Sequence, residues 1–253
     1  MVEGRIHSIE TMGLVDGPGI RTVFFLQGCP LRCAYCHNPD SQNMFSKEHI
    51  SPQEVLETAR RYRSYYNRTG GGVTFSGGEP LVQGEFLLET LKLLKKDGFH
   101  TAIDTSGFGD ERYYKEILKY VDVVILDIKH FDNKGYREIT EKSMGRFYKF
   151  LSALNDFHGT IWMRHVMVPN ITDNEESIYK LFYKIAHLAH KIDRFEILPY
   201  HRMGVEKYEE LGMEYRLKDV PEMDKEKAKE FENMLKVLLD IEKQKFHHQK
   251  YII

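Results

Sequence analysis

Three cysteines, the only ones in the chain, lie close together in the stretch GCPLRCAYCHN as Cys29, Cys33 and Cys36. This spacing allows a short loop to wrap three thiolates around one face of a cubane iron–sulfur cluster, which usually takes four. One iron would then be left open to a ligand from outside the protein. The alternative is a zinc site completed by a histidine. His37 fits that role poorly, because the residue next to Cys36 points away from its neighbour.

Composition excludes several classes of function. The chain has 253 residues and a formal net charge of −2, so it lacks the basic surface of a nucleic-acid-binding protein. No apolar run reaches the ~20 residues of a membrane span, and no signal-peptide pattern opens the sequence. An odd number of clustered cysteines is typical of a metal or catalytic site in a reducing compartment. We therefore expect a cytoplasmic protein of one domain, residues 1–253, with no nucleic-acid or membrane partner.

Hydrophobic patterning predicts alternating strands and helices. Apolar runs of the kind buried in parallel sheets predict strands at residues 22–26, 72–75, 100–103, 122–126, 160–168 and 195–198. Helical patterns fall at residues 52–66, 85–98, 110–120, 142–156, 173–191 and 224–242. Ser51 and Glu54 form a capping box for the first of these helices, and Asp173 is the expected cap of the fifth. The alternation indicates parallel βα units, in either an open barrel or a doubly wound sheet.

Chemically capable side chains follow the predicted strands. In both architectures the ligand site lies at the carboxyl ends of the strands. The cysteine loop follows the first strand, and the residues at the later strands are Gly77, Gly78, Glu79, Asp104, Asp127, Lys129, Arg164 and His201. Each charge taken alone has an ordinary reading as a helix cap or a surface ion pair. Together they predict a single site on one rim.

The stretch DGPGIRTVFFLQGCPLRCAYCHN resembles the signature of the radical S-adenosylmethionine (SAM) enzymes that activate glycyl-radical enzymes. Its cysteines have the spacing C-x₃-C-x-φ-C, in which the aromatic φ is Tyr35. Later motifs agree in order and spacing: GGE at 77–79, DTSG at 104–107, LDIK at 126–129 and LPYH at 198–201. The resemblance covers nearly the whole chain. It implies an α/β fold of the radical SAM type, a partial (β/α)₆ TIM-like barrel.

The resemblance also implies the cofactors and their ligands. A [4Fe-4S] cluster would be held by the three cysteines and would bind SAM at its open iron. Glu79 would accept from the SAM amino group and Lys129 would bind its carboxylate, and a monovalent cation could lie between Asp104 and Asp127. The full set of residues implied to bind SAM is Tyr35, His37, Gly77, Gly78, Glu79, Asp104, Asp127, Ile128, Lys129, His130, Arg164 and His201.

The implied reaction is reductive cleavage of SAM, followed by removal of a hydrogen atom from a glycine of a protein partner. Chain length and the single cysteine cluster favour pyruvate formate-lyase as that partner, with its glycine loop as the substrate and Asp16 in contact with the loop. A flavodoxin-type electron donor and a monomeric enzyme are further implications. The alternatives are another glycyl-radical enzyme as partner, a small-molecule substrate, or the Cys₃His zinc module.

Overall fold

One mixed sheet organises the chain. In the computed structural model, which describes residues 2–250, the sheet contains eight strands: β1 (Gly4–Gly13), β2 (Arg21–Leu26), β3 (His49–Ile50), β4 (Gly72–Gly77), β5 (Thr101–Thr105), β6 (Val123–Asp127), β7 (Thr160–Met167) and β8 (Ile192–Pro199). Their order across the sheet is β3-β1-β2-β4-β5-β6-β7-β8. Among the described residues its two ends, β3 and β8, do not pair with each other, so the sheet is an open barrel.

The parallel core confirms the sequence prediction. From β2 to β8 every neighbouring pair is parallel, and these six strands are the six that patterning predicts. Two strands were not predicted, β1 and β3, which are antiparallel additions at the β2 end. The segment GRIHSIETMG of β1 is largely exposed in its second half, so it carries no continuous apolar run. The fold is therefore the predicted partial (β/α)₆ barrel with an added antiparallel edge.

Helices cover the outer face of the sheet. Within the described chain they are α1 (Pro52–Thr69), α2 (Gly84–Lys96), α3 (Glu111–Leu118), α4 (Asn133–Thr140), α5 (Gly145–Ala153), α6 (Glu175–Ile185), α7 (Val205–Glu210) and α8 (Lys225–Lys250). The predicted capping box of α1 is confirmed, since both of its reciprocal bonds are present. None of the described helices combines the length and apolar character needed to cross a bilayer.

Two helix predictions were wrong in detail. Asn174 caps α6 by accepting from the backbone N–H of Ser177, whereas the expected cap, Asp173, accepts from the backbone of Asn170 and pairs with Lys227. The helix also ends at residue 185 and continues as a 3₁₀ segment to 191. The predicted helix at 142–156 is likewise the shorter α5 followed by a 3₁₀ turn. Short polar side chains compete for such caps, and neighbouring candidates cannot be ranked from sequence alone.

Apolar residues form two separate clusters on the two faces of the sheet. The large cluster lies between the sheet and the helices. A small one, Ala102, Val123, Ile125 and Trp162, lies on the inner face of the barrel. Since side chains alternate along a strand, the residues that continue this inner face toward the carboxyl ends of the strands are polar, among them Ser76, Asp104 and Asp127. The barrel interior therefore changes from apolar to polar toward that end.

A buried arginine fixes the segment between β1 and β2. The Arg21 side chain is fully buried and donates to Thr74 Oγ1 at 2.5 Å, Val73 O at 2.7 Å and Pro18 O at 3.0 Å. Burial lowers its pKa to about 10, although nearby groups, including Asp16, oppose that shift. Thr74 in turn donates to the backbone carbonyl of Asp16 at 2.7 Å. Arg21 and Thr74 thus hold this loop against the inner face of β4.

We expect Arg21→Met to lower the free energy of unfolding by about 3 kcal/mol, because it leaves buried acceptors without donors. Chemical denaturation of the parent and the variant measures this difference. Arg60→Met is the matched control, since Arg60 pairs with Asp97 at the surface, and it should change stability little. Equal losses in the two variants would contradict the role assigned to Arg21.

Candidate active site

A cavity of about 560 Å³ opens at the carboxyl ends of the parallel strands. The structure brings twelve of the sequence-predicted site residues to its wall: Asp16, Cys29, Cys33, Tyr35, Cys36, His37, Gly77, Gly78, Asp104, Asp127, Lys129 and His201. Four others, Glu79, Ile128, His130 and Arg164, do not line it. The cavity is therefore assembled from the loops after several strands, as the parallel topology requires.

The cysteine loop is anchored to its neighbours by backbone hydrogen bonds. The N–H of Cys29 donates to Gln42 O at 3.3 Å, and the N–H of Ala34 donates to Ile139 O at 2.9 Å. Arg216 reinforces the second anchor by donating to the same Ile139 carbonyl at 2.6 Å. The three thiols are free and partly accessible. The loop thus presents them to the cavity from a backbone fixed on both sides.

Two of the three thiols hold their protons more tightly than an ordinary cysteine. Burial raises the pKa of Cys33 to about 11, although Lys129 opposes the shift. Burial, and then the neighbouring Cys33, raise the pKa of Cys29. Thiolate ligation therefore requires that a metal displaces the protons. In the described part of the chain no group of three histidine, cysteine or carboxylate side chains is arranged to hold a single metal ion. A cluster, in contrast, offers a separate iron to each thiolate.

Gly77 and Gly78 allow the loops after β2 and β4 to touch. Gly77 has a φ of +111°, and a β-carbon there would lie 2.3 Å from the backbone nitrogen of Leu26. A β-carbon on Gly78 would lie 2.4 Å from the carbonyl oxygen of Gly28. A side chain at Gly77 would therefore push β4 away from β2, and one at Gly78 would push the loop after β4 away from the cysteine loop. The two glycines also leave bare backbone at the cavity wall, where a ligand can approach closely.

Glu79 has partners other than the predicted SAM amino group. Its buried carboxylate accepts from Thr105 Oγ1 at 2.6 Å, Ser106 N at 2.8 Å, Ser106 Oγ at 2.5 Å and Leu81 N at 3.0 Å. Burial raises its pKa, although these hydrogen bonds oppose the shift. The side chain therefore joins the loop after β4 to the loop after β5. The sequence signal for this role is the pair of hydroxyl residues in the DTSG motif.

Charged side chains form a continuous row along the cavity floor. Lys129 Nζ donates to Asp127 Oδ2 at 2.7 Å. Asp104 accepts from Ser76 Oγ at 3.1 Å, and its Oδ2 lies 3.7 Å from the guanidinium of Arg164. Burial, and then the nearby Asp127, raise the pKa of Asp104 to about 7. The buried Oδ1 of Asp127 has no hydrogen-bond partner among the described residues. This end of the cavity thus holds one unpaired carboxylate oxygen beside a lysine.

Arg164 lies on the inner face of β7 below the cavity. It pairs with Glu196 at 3.3 Å and donates to the backbone carbonyl of Val15 at 2.5 Å. Its burial is therefore compensated by acidic neighbours. Sequence reasoning missed Glu196, although the alternation of the FEIL strand places it on the same face as Leu198, which lines the cavity. Arg164 also fixes the backbone immediately before Asp16.

Aromatic and imidazole rings form another part of the cavity wall. The rings of His37 and His201 are 4.3 Å apart between centroids. The Nδ1 atom of His201 is buried and has no hydrogen-bond partner in the described chain. Tyr35 is buried with its ring 5.9 Å from Lys129 Nζ. This part of the wall, the His37–His201 wall, offers two neighbouring rings and one unsatisfied nitrogen, and it is suited to a heteroaromatic ligand.

The structure does not bring Ile128 and His130 to the cavity. The N–H of Ile128 donates to Arg164 O at 2.8 Å, within the sheet. His130 packs on Phe131 and accepts from the N–H of Asp132 at 3.2 Å. Asp127 and Lys129 face inward, and the residues that alternate with them face outward, as in any extended segment. His130 lines a separate groove on the outer side of the cysteine loop.

Comparison with known proteins agrees with this arrangement. The sequence profile of the Radical SAM superfamily matches residues 23–182. The pyruvate formate-lyase-activating enzyme of Clostridium pasteurianum is 53% identical over 240 residues, covering 95% of this chain and 100% of that protein. The Staphylococcus epidermidis enzyme of the same name is 44% identical, covering 91% of this chain and 94% of that one.

A solved structure shows a similar fold. It is a domain of a pyruvate-formate lyase-activating enzyme from Bacteroides vulgatus, with a TM-score of 0.54 at 22% identity, covering 67% of this chain and 95% of that one. The chain is thus a member of the radical SAM superfamily. Within that superfamily it belongs to the family of the pyruvate formate-lyase-activating enzymes, a family of iron–sulfur enzymes that use SAM.

The raised pKa of Asp104 predicts a pH-dependent stability. Between its ordinary pKa of 3.8 and about 7 the folded protein holds a proton that the unfolded chain releases. The free energy of unfolding should therefore fall as the pH rises through this range and level off above it. Asp104→Asn should flatten this part of the curve. Denaturation of the metal-free protein at a series of pH values measures it, with the exposed variant Asp156→Asn as the control. An unchanged slope in Asp104→Asn would contradict the assignment.

Proposed function

We propose that this chain activates pyruvate formate-lyase by converting a glycine residue of that enzyme to a glycyl radical, with SAM as the consumed substrate. The observation that carries the proposal is the meeting of three free cysteines with the Lys129–Asp127 pair and the His37–His201 wall in one cavity. Sequence identity to enzymes named for this activity supports it. The protein acts as a single radical SAM domain over residues 1–253.

The residues present fit a [4Fe-4S] cluster. Cys29, Cys33 and Cys36 would supply three thiolates to it, which would leave one iron for the amino and carboxylate groups of SAM. When bound, the cluster supplies the electron that cleaves SAM reductively, so that the 5′-deoxyadenosyl group can take a hydrogen atom from the glycine. The bare backbone of Gly77 and Gly78 gives the cofactor room beside the cysteine loop. A closed zinc site would leave no such coordination position.

The cavity walls orient SAM. Lys129 can donate a charge-assisted hydrogen bond to its carboxylate, and the unpaired Oδ1 of Asp127 can accept from its amino group or ribose. The His37–His201 wall and Tyr35 suit the adenine, with His201 Nδ1 available for one hydrogen bond. Asp104 and Asp127 together can hold a monovalent cation beside the carboxylate. Glu79 contributes to SAM binding indirectly, by fixing the loops on which these groups lie.

The partner's glycine must reach the same cavity, and Asp16 lies at its edge. The loop of Asp16 is held by Thr74 and Arg164, so its carboxylate is a fixed acceptor for backbone N–H groups of the partner. We further propose a flavodoxin-type protein as the electron donor, a monomeric enzyme and a cytoplasmic location under anaerobic conditions. These proposals rest on the family and on the absence of charge features that would favour nucleic acid or lipid.

The test is anaerobic reconstitution with iron and sulfide, then reduction in the presence of SAM and pyruvate formate-lyase. We expect about four irons per chain and a glycyl radical signal in electron spin resonance. Cys33→Ala should lose both SAM cleavage and the radical. SAM cleavage without a radical on pyruvate formate-lyase would contradict the proposed partner, and would favour another glycyl-radical enzyme or a small-molecule substrate.

We expect Lys129→Met to weaken SAM binding at least about tenfold, because it removes a charge-assisted hydrogen bond of roughly 1.5–3 kcal/mol. Iron content should stay at the parent value, since lysine is not a cluster ligand. Equilibrium binding of SAM to the reconstituted proteins measures the loss. Lys134→Met is the matched control, because Lys134 lies in the outer groove. Parent-like affinity in Lys129→Met would contradict its placement beside the carboxylate.

A further inference from the structure

The strand β1 has a free edge. One side of β1 pairs with β2 along its length. On its other side β3 pairs only with Gly4 and Arg5, and Glu48 accepts from the N–H of Ile6. No backbone partner from the described residues covers that side between residues 7 and 13. Between Ser8 and Glu10, where the register with β2 is regular, alternate residues direct their N–H and C=O groups away from β2.

A free edge of this length is a docking element for extended backbone. Unpaired strand edges bind other strands readily, and soluble proteins commonly cover or shorten them. This protein does so at the opposite end of the sheet. There Glu232 of α8 accepts from the N–H of Ile197 at 2.9 Å, and α8 packs along β8. The edge of β1 is therefore exposed, whereas the edge of β8 in the same sheet is covered.

The free edge is continuous with the active site. After β1 the chain passes through Leu14 and Val15, each 72% exposed, and then reaches Asp16 on the cavity wall. Arg164 of β7 donates to the Val15 carbonyl at 2.5 Å. The segment therefore enters the barrel and lies along its inner face, since Thr74 of β4 also donates to the carbonyl of Asp16. A strand paired with β1 would lie at this end of the sheet, which does not pair with β8 in the described chain.

The surface along the edge is partly apolar. Ile9 and Met12 are 42% and 44% exposed, and with Leu14 and Val15 they make four exposed apolar residues in the stretch of chain that carries the unpaired backbone, here called the strip. Apolar residues beside a bare edge are typical of strand addition, in which backbone bonds supply affinity and side-chain contacts supply selectivity. The reacting residue of the proposed substrate is a glycine without a side chain. Its recognition must therefore depend on backbone and on flanking residues.

We infer that an extended segment of the protein partner, flanking the target glycine, pairs as an added strand with the free edge of β1. This inference rests on the proposed function, which requires the glycine to enter the cavity beside Asp16. A second copy of this chain fits the edge less well. Glu10, at the centre of the free segment, would approach its own copy in an antiparallel pair, and like charges placed opposite each other are destabilising.

Hydrogen exchange tests the inference on the reconstituted enzyme with SAM. Addition of pyruvate formate-lyase should slow exchange of the amides in residues 7–13, while the amides of β8 should not change. Protection of residues 7–13 that depends on enzyme concentration, without the partner, would overturn the inference in favour of self-association. Radical formation in the same mixture with no protection of β1 would overturn it while leaving the proposed function intact.

A peptide series separates backbone pairing from side-chain contact. The probe is a peptide that copies the glycine loop with about ten flanking residues, N-methylated at one position at a time. Strand addition predicts losses of up to about tenfold in affinity at alternate positions, with little effect between them. Uniform or absent effects along the flank would overturn the pairing.

Side-chain variants complete the test. Ile9→Ser combined with Met12→Ser should weaken peptide binding severalfold and leave SAM cleavage without the partner unchanged. Val237→Ser is the control, because Val237 is 58% exposed on α8, away from the edge. Equal peptide affinity in the double variant and the control would overturn the contribution of the strip. If the parent enzyme itself shows no SAM cleavage, that result would instead refute the proposed function.

Discussion

The carboxylate of Glu79 is the interaction on which the active-site end of the barrel depends. A carboxylate buried this deeply is costly unless hydrogen bonds satisfy it, and Glu79 receives them from Thr105, Ser106 and Leu81. Those donors belong to the loops after β4 and β5. One side chain therefore sets the distance between two walls of the cavity. The neighbouring glycines set the distance to the third wall, the cysteine loop, because no side chain fits there.

Compensation of buried charges by oppositely charged neighbours also explains the charged row inside the barrel. Arg164 is balanced by Glu196 and Asp104, and Lys129 by Asp127. The balance is incomplete at one point, since Asp127 keeps one oxygen unpaired and burial raises the pKa of Asp104 to about 7. Buried polar groups left unsatisfied cluster where ligands bind. The row is thus a structural support along the floor, and at its upper end it leaves one carboxylate oxygen without a protein partner.

The sequence could predict those features that depend on local periodicity. The six parallel strands follow from apolar runs, and the position of Asp127 and Lys129 on one rim follows from strand ends. The alternation of side chains along a strand also indicates that His130 faces outward and that Glu196 faces inward. The prediction relied on the motif instead, so it included His130 and missed Glu196. The role of Glu79 depends on partners 26 and 27 residues away, which no local pattern reveals. The strand β1 was not predicted because its sequence is mixed and largely exposed, so that it carries no continuous apolar run.

The open sheet leaves unpaired backbone at its ends, and it also allows ligands to enter the barrel from the side. A closed eight-stranded barrel has no edges and a packed interior, so its ligands can enter only through the end. Here the small inner cluster around Trp162 fills only part of the interior, and polar groups take over above it. Access from the side requires two sheet ends that do not meet. Since α8 and Glu232 satisfy the β8 end, the unsatisfied backbone remains at β1, beside the loop that carries Asp16. The asymmetry between the two edges is therefore what the inferred pairing of a partner segment with β1 requires.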